Sequence, residues 1–490
     1  MAQKNLKQKA TFSMIWTAIQ RYSMMLITFI ADLILARLLT PYDFGCIGML
    51  AIFMTVAETL INGGFGSALI QRKSPTQEDY STIFFWNLGM SVVLYTVLYL
   101  CAPLIAHFYK IPLLSSVLRV QGLILFLYAF NLIQRSQLTR KLNFKLLSIV
   151  TIITSLISLA ITILMAYRGM GVWALVARHL IAAALTSIIF WFYVKWRPVL
   201  VFSWQSFKSL FNFGFYMFLA HLVTNISTQI QGLLIGKIYD ASTMGFYSKA
   251  SGTEHLASTS ISQVMTQVTY PLYAQVQDDL LAMQNMVKRL TVTLSYLTFP
   301  LLFILLLVAK PLFILLYTEK WLPSVPYFQI LCIAGLGSCL QAVNFQTISA
   351  IGKSKVTFVW TFVKRLVGIG LIVGGLAIWG MKGLLWGVVL NNWFAYFVNM
   401  GLVSNYIGYK WWNQLQNLLP VTIASILSAV LSYFTASFLD LGLYLDGIAK
   451  VLVYIALYMG WSIVFKPEAF VYTQRTIRPM IEKIYKRKKL

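Results

Sequence analysis

Long apolar stretches, broken only by short polar turns, recur from about residue 12 to residue 465. That recurrence limits what the chain can fold into. A helix of about 20 apolar residues crosses a hydrocarbon core of ~30 Å, and in lipid only helices and closed barrels satisfy their own backbone groups. Fourteen such spans are read at roughly 12–36, 44–62, 81–107, 113–134, 147–167, 172–194, 211–236, 245–271, 290–309, 327–350, 356–379, 384–406, 418–438 and 444–465. Charged residues make up 11% of the chain, against roughly 25% in ordinary soluble domains. The expectation is an all-α polytopic membrane protein. The first span follows a basic segment but contains Arg21 and runs too long for a signal core, so it reads as a retained helix.

A net charge of +25 raises the prospect of a nucleic-acid partner, but the placement of the bases argues for topology instead. Alternating loops divide them 25 to 7. The rich side holds Lys4, Lys7, Lys9, Arg72, Lys73, Arg135, Arg140, Lys141, Lys145, Lys195, Arg197, Lys208, Lys288, Arg289, Lys353, Lys355, Lys410 and eight bases from Lys466 onward. The poor side holds Arg37, Lys110, Arg168, Lys237, Lys310, Lys320 and Lys382. The positive-inside rule then puts both termini in the cytoplasm. In the tail, Ile477, Met480, Ile481, Ile484 and Tyr485 form one helical face among bases. Such a helix would lie on the anionic inner leaflet; a merely solvated basic tail is the alternative reading. The outward loops are a few residues each, which leaves no room for an extracytoplasmic domain.

One turn is written twice. ARLLTPYDFGCIGML (36–50) and GKIYDASTMGFYSKA (236–250) match at Ala36/Gly236, Arg37/Lys237 and Gly45/Gly245. GVWALVARH (171–179) likewise resembles LLWGVVLNN (384–392), with Trp173 on Trp386 and Arg178–His179 on Asn391–Asn392. An even number of spans between copies means a parallel repeat. The expected organisation is an N-lobe at 1–200, a C-lobe at 201–410, two further helices at 411–465 and the tail at 466–490. The lobes would enclose a central cavity.

Polar groups at membrane depth are candidates for that cavity. Arg21 lies about nine residues into its span, roughly 14 Å deep, where a charge costs at least ~2.5–3.5 kcal/mol. At the 200-residue offset it falls on His221. Arg178, His179, Lys364, Arg365, Asn391 and Asn392 complete the candidate substrate-binding set; Asp32, Glu58 and Glu254 are candidates for ion coupling. Bases outnumber acids, which suits an anionic substrate. Ion pairing or snorkelling accounts equally well for Lys249 and Arg119, and packing equally well for His179 and His221. No Ser/His/Asp grouping, paired carboxylates or metal-ligand spacing is read, and the four cysteines read as buried packing, so neither catalytic residues nor a metal or cofactor is expected.

LLTPYDFG (38–45), GGFGSALIQRKSPTQEDYSTIFFWN (63–87), QRSQLTRKLNFKLLS (134–148), GVWALVARH, WRPVLVFSWQSFKSLFNFG (196–214) and IGKIYDASTMGFYSKA (235–250) resemble bacterial polysaccharide and O-antigen flippases. These belong to the multidrug/oligosaccharidyl-lipid/polysaccharide exporter superfamily, and the likeness is to its colanic-acid-exporter type, dense over 10–280. The resemblance implies twelve to fourteen helices, two six-helix lobes and alternating access in the inner membrane. It implies an undecaprenyl-diphosphate-linked oligosaccharide as substrate, with polymerase and chain-length machinery as partners beside membrane lipid. Two other classes stay open. An ion-coupled drug antiporter wants acidic or aromatic walls, and a polymerase or ligase wants a long periplasmic loop.

Overall fold

The computed structural model describes residues 2–472 and 474, apart from 277–278 and 439–441. The amphipathic tail expected over 476–490 lies outside the described residues. Among these residues the fold is all-α, with no strand.

The chain runs through α1 (Ala2–Leu38), α2 (Pro41–Asn62), α3 (Phe65–Gln71), α4 (Gln77–Tyr109), α5 (Leu113–Gln121), α6 (Ile124–Arg140), α7 (Phe144–Tyr167) and α8 (Val172–Tyr193). It continues as α9 (Trp204–Ile238), α10 (Ala241–Gln275), α11 (Leu280–Leu307), α12 (Ala309–Tyr317), α13 (Ser324–Ala350), α14 (Ser354–Ile407), α15 (Trp411–Ser437) and α16 (Leu443–Phe465). Eleven stretches are long and apolar enough to cross a membrane, with α2–α3 and α5–α6 each forming one stretch. One of the eleven, Lys355–Ile407, contains two crossings: Trp379 and Gly380 leave helical geometry and fold α14 into a hairpin. At Gly380 φ is 60°, a backbone region that glycine enters without a Cβ penalty. Gly375 and Gly383 let the two arms meet, since a methyl on either would strike the other's carbonyl. Counting that hairpin twice gives twelve of the fourteen spans read from sequence; the other two fall in α9 and α10, each 35 residues long. The protein is a multi-pass membrane protein.

Two compact units divide the chain at 248/249, inside α10. In the first, α7 packs on α1 and α8, α6 on α8, and α4 on α5, α6 and α9, while α2 lies along α9. In the second, α13 packs on α14 and α11, and α15 on α16 and α11.

The duplicated turn has a structural meaning inside the first unit. A side chain on Gly45 would run into the carbonyl of Ala241, and one on Gly245 into the carbonyl of Pro41. Gly45/Gly245 and Pro41/Ala241 are each 200 residues apart, so the two copies make one reciprocal contact. That contact puts both turns at the same end of the unit, as parallel copies require. The helix starts match too, with the chemistry exchanged. Thr40 caps α2 and is answered by Asp43 three residues on, in a capping box. In the second copy Asp240 is the cap, and its Oδ1 accepts from the Thr243 amide at 2.7 Å.

At the other end of this unit, three of the family-like segments form one hydrogen-bonded assembly. Arg72 bridges the fully buried Asp79 at 2.9 Å. The Trp196 indole donates to Gln77 Oε1, and Gln77 Nε2 donates to the Arg197 carbonyl, both at 2.6 Å. The amides of Val199 and Ser203 donate to Ser81 and Thr82, each at 3.0 Å. Arg140 donates to Tyr80 and to the Lys73 carbonyl. Polar motifs that look like surface loops in sequence are therefore the clamp that orders the ends of α3, α4, α6 and α9.

Candidate functional site

Helix α6 presents Tyr128, Asn131, Arg135 and Thr139 at three- and four-residue spacing, which is one face. Two cavities open on that face, one on either side. The first, about 560 Å³, is closed by Glu58, Thr59 and Asn62 of α2, by the α2–α3 turn, and by Phe218, His221 and Asn225 of α9. The second, about 430 Å³, is closed by Thr17 and Gln20 of α1, by Phe144, Thr151, Thr154 and Ser155 of α7, and by His179, Thr186 and Phe190 of α8. All of these residues belong to the first unit. Both volumes fall in the usual range for ligand sites.

The first cavity carries the charge. Glu58 and Arg135 both lie within electrostatic reach of the Tyr128 hydroxyl. Arg135 is exposed, and its guanidinium has no hydrogen bond or ion pair among the described residues. Asn225 donates to Thr59 at 2.8 Å, tying α9 to α2 across the wall. The second cavity is lined mainly with hydroxyls and amides. Gln20 Nε2 donates to Thr151 at 3.4 Å, and Asn131 Nδ2 donates to Ser187 at 3.2 Å.

The residues singled out from sequence are dispersed. Glu58 and His221 face the first cavity and His179 the second. Arg21 is half-buried on α1, on neither wall, with no hydrogen bond or ion pair among the described residues. Arg178 is half-buried and interacts electrostatically with Asp32. In the second unit, buried Lys364 donates to Asn399 Oδ1 at 2.6 Å, with its ammonium 5.5 Å from the Phe345 ring centroid. Arg365 beside it is half-buried. Asn391 lies against the Cα of Gly368, and Asn392 donates to the Ala334 carbonyl at 3.2 Å. Glu254 is buried, and its Oε1 has no partner among the described residues.

Sequence reasoning missed Tyr128, Asn131 and the α7 hydroxyls, and it placed Arg135 in a loop. It ended the fourth span at 134, whereas α6 continues to Arg140. The available signal was the run of Thr151, Thr154, Ser155, Ser158 and Thr162 in an otherwise apolar span.

A family described as "Polysaccharide biosynthesis protein" matches residues 34–326. The chain belongs to that family. The chain is 27% identical over 359 residues to the teichuronic acid biosynthesis protein TuaB of Bacillus subtilis (strain 168), covering 73% of this chain and 74% of TuaB. It is 24% identical over 403 residues to the succinoglycan biosynthesis transport protein ExoT of Rhizobium meliloti (strain 1021), covering 81% and 78%. Among solved structures it is similar to the lipid II flippase MurJ in an inward closed conformation, with a TM-score of 0.73 at 15% identity, covering 92% of this chain and 98% of that one. At that identity the likeness concerns the fold.

Proposed function

We propose that this protein is a flippase that carries an undecaprenyl-diphosphate-linked oligosaccharide from the cytoplasmic to the periplasmic leaflet by alternating access. The observation that carries the reading is the pair of adjoining polar cavities set among apolar helices, with an unpaired arginine on their common wall. Apolar helices do not enclose such cavities without a hydrated or polar occupant, because buried polar groups need partners. A diphosphate needs cationic donors, and a glycan needs hydroxyls and amides; the two cavities offer both. The family, and relatives whose names place them in polysaccharide biosynthesis and transport, support the same substrate class.

In this scheme Arg135 and His221 meet the diphosphate from the first cavity. Arg21, Arg178, Arg365, Asn391 and Asn392 stay in the proposed substrate-binding set, whereas Lys364 is held by Asn399 and takes a structural role. Glu58 and Glu254 are the proposed carriers of coupling protons; Asp32 is engaged with Arg178. The loop charges support an inner-membrane placement with both termini cytoplasmic.

The test is reconstitution of the full chain in vesicles loaded with a fluorescent undecaprenyl-diphosphate oligosaccharide. Protein-dependent exposure of the glycan on the opposite leaflet is expected. Absence of that movement, together with efflux of a cationic dye, would replace this reading with a drug antiporter.

A further inference from the structure

Four threonines of the second cavity share a one-sided hydrogen-bonding character. Thr17, Thr139, Thr151 and Thr186 line it, and each donates its hydroxyl proton to the carbonyl four residues back on its own helix. The four bonds measure 2.8, 2.9, 2.7 and 2.7 Å. A hydroxyl has one proton but two lone pairs, so what remains for the cavity is acceptor capacity. The amides are mixed: Gln20 and Asn131 each spend one of two nitrogen donors on Thr151 and Ser187, and Gln20 Oε1 accepts from Ser148. Away from Arg135 on the shared wall, these threonine hydroxyls offer little to a diphosphate, which at neutral pH presents only acceptors. They welcome a ligand rich in O–H donors. Phe144 adds aromatic surface on which the C–H face of a ring can rest, backed by the buried Phe190.

We propose that the cavity walled by α1, α6, α7 and α8 is a sugar-reading subsite, which takes an uncharged pyranose by accepting its hydroxyl protons on the threonines and leaves the diphosphate to Arg135 at its edge. The assignment rests on the transport of a lipid-linked glycan put forward above and gives that glycan its place. Arg135, on the shared wall, then marks the border between the sugar and the charged end of the substrate.

The test uses the purified full chain and saturation-transfer NMR with the methyl glycosides of glucose, galactose and N-acetylglucosamine, alongside inorganic diphosphate followed by phosphorus NMR. At least one glycoside is expected to bind. Thr151→Val and Thr186→Val keep the side-chain shape but remove the acceptor, and each should weaken that glycoside about five- to tenfold. Thr151→Ser, which keeps the oxygen, should restore it. Diphosphate binding should be unchanged in all three variants. The subsite is overturned by any of three results: no glycoside binds, the valine variants bind it as wild type does, or diphosphate displaces it. The vesicle assay run on the same preparations separates the two ideas. Glycan flipping without threonine-dependent glycoside binding removes only the subsite. Threonine-dependent binding without flipping leaves the subsite standing and removes the transport reading.

Discussion

Arg135 is the cation common to both cavity walls, which makes it the residue on which capture of an anionic head group should depend most. A charge-assisted hydrogen bond is worth ~1.5–3 kcal/mol, so Arg135→Ala should lower flipping in vesicles by about one to two orders of magnitude with insertion intact. Arg135→Lys should retain part of the activity, because it keeps the charge and loses the planar fork. Near-normal flipping by the alanine variant would remove Arg135 from the site. The sequence hid this role because a base one turn before a helix end reads as a loop charge, and only packing shows which face it serves. Depth alone likewise does not separate Lys364 from Arg365. Lys364 has its buried partner in Asn399, so its expected role is structural. Asn399→Leu should strip the ammonium of that partner and destabilise the protein by about 1–3 kcal/mol, whereas the double replacement Lys364→Met/Asn399→Leu, which leaves neither group unsatisfied, should be close to neutral. Thermal unfolding of the purified variants checks this, and equal losses in both would show that the pair does not behave as a buried contact.

Among the elements, the repeated turns were legible as a repeat, but not as surfaces that touch. Sequence alignment shows Gly45 over Gly245; only the structure shows each glycine seated on the other copy's helix start. Gly45→Ala and Gly245→Ala place a methyl against backbone, which cannot rotate away as a side chain can. Each should cost about 1–3 kcal/mol, read as a lower melting temperature. Gly252→Ala, at a position with open space around it, is the control that should not fall. The exchanged caps make a second prediction. Hydrogen bonds from the Thr243 side chain and then its backbone amide hold the Asp240 carboxyl below the usual carboxylate range. A depressed carboxylate contributes stability above its unfolded value, near ~3.9, and loses it as pH falls through its folded value. The stability difference between wild type and Asp240→Asn should therefore be constant from about pH 5 to 8 and shrink below about pH 4. A gap that changes across neutral pH would point to another titrating group. The α14 hairpin was read correctly as two spans because GMKG supplies a turn, even though the helix signal on either side is continuous.

At the scale of the whole molecule, apolar length and the alternation of loop charge carried nearly all the information. Both are one-dimensional properties, and a bilayer turns them into geometry directly. Cavities depend on which helix faces meet, and that is decided by packing among side chains of similar hydropathy, so the sequence could name polar residues at depth without saying which share a wall. The sidedness it implies is read by cysteine labelling. Cys46, Cys332 and Cys339 are buried and Cys101 is partly so, so a Cys101→Ser background should be nearly silent to a membrane-impermeant maleimide. In that background Arg37→Cys and Lys237→Cys should both label from outside in cells with a permeabilised outer membrane. Lys73→Cys and Lys195→Cys should label only after the inner membrane is opened. The contact between the two repeated turns ties the first pair together: Gly45 and Gly245 cannot meet the opposite helix starts unless Arg37 and Lys237 leave the bilayer on one side. Labelling of one and protection of the other would therefore contradict both the parallel repeat and the packing of α2 against the start of α10. Protection of both, with Lys73→Cys and Lys195→Cys exposed, would keep the fold and invert the proposed direction of transport.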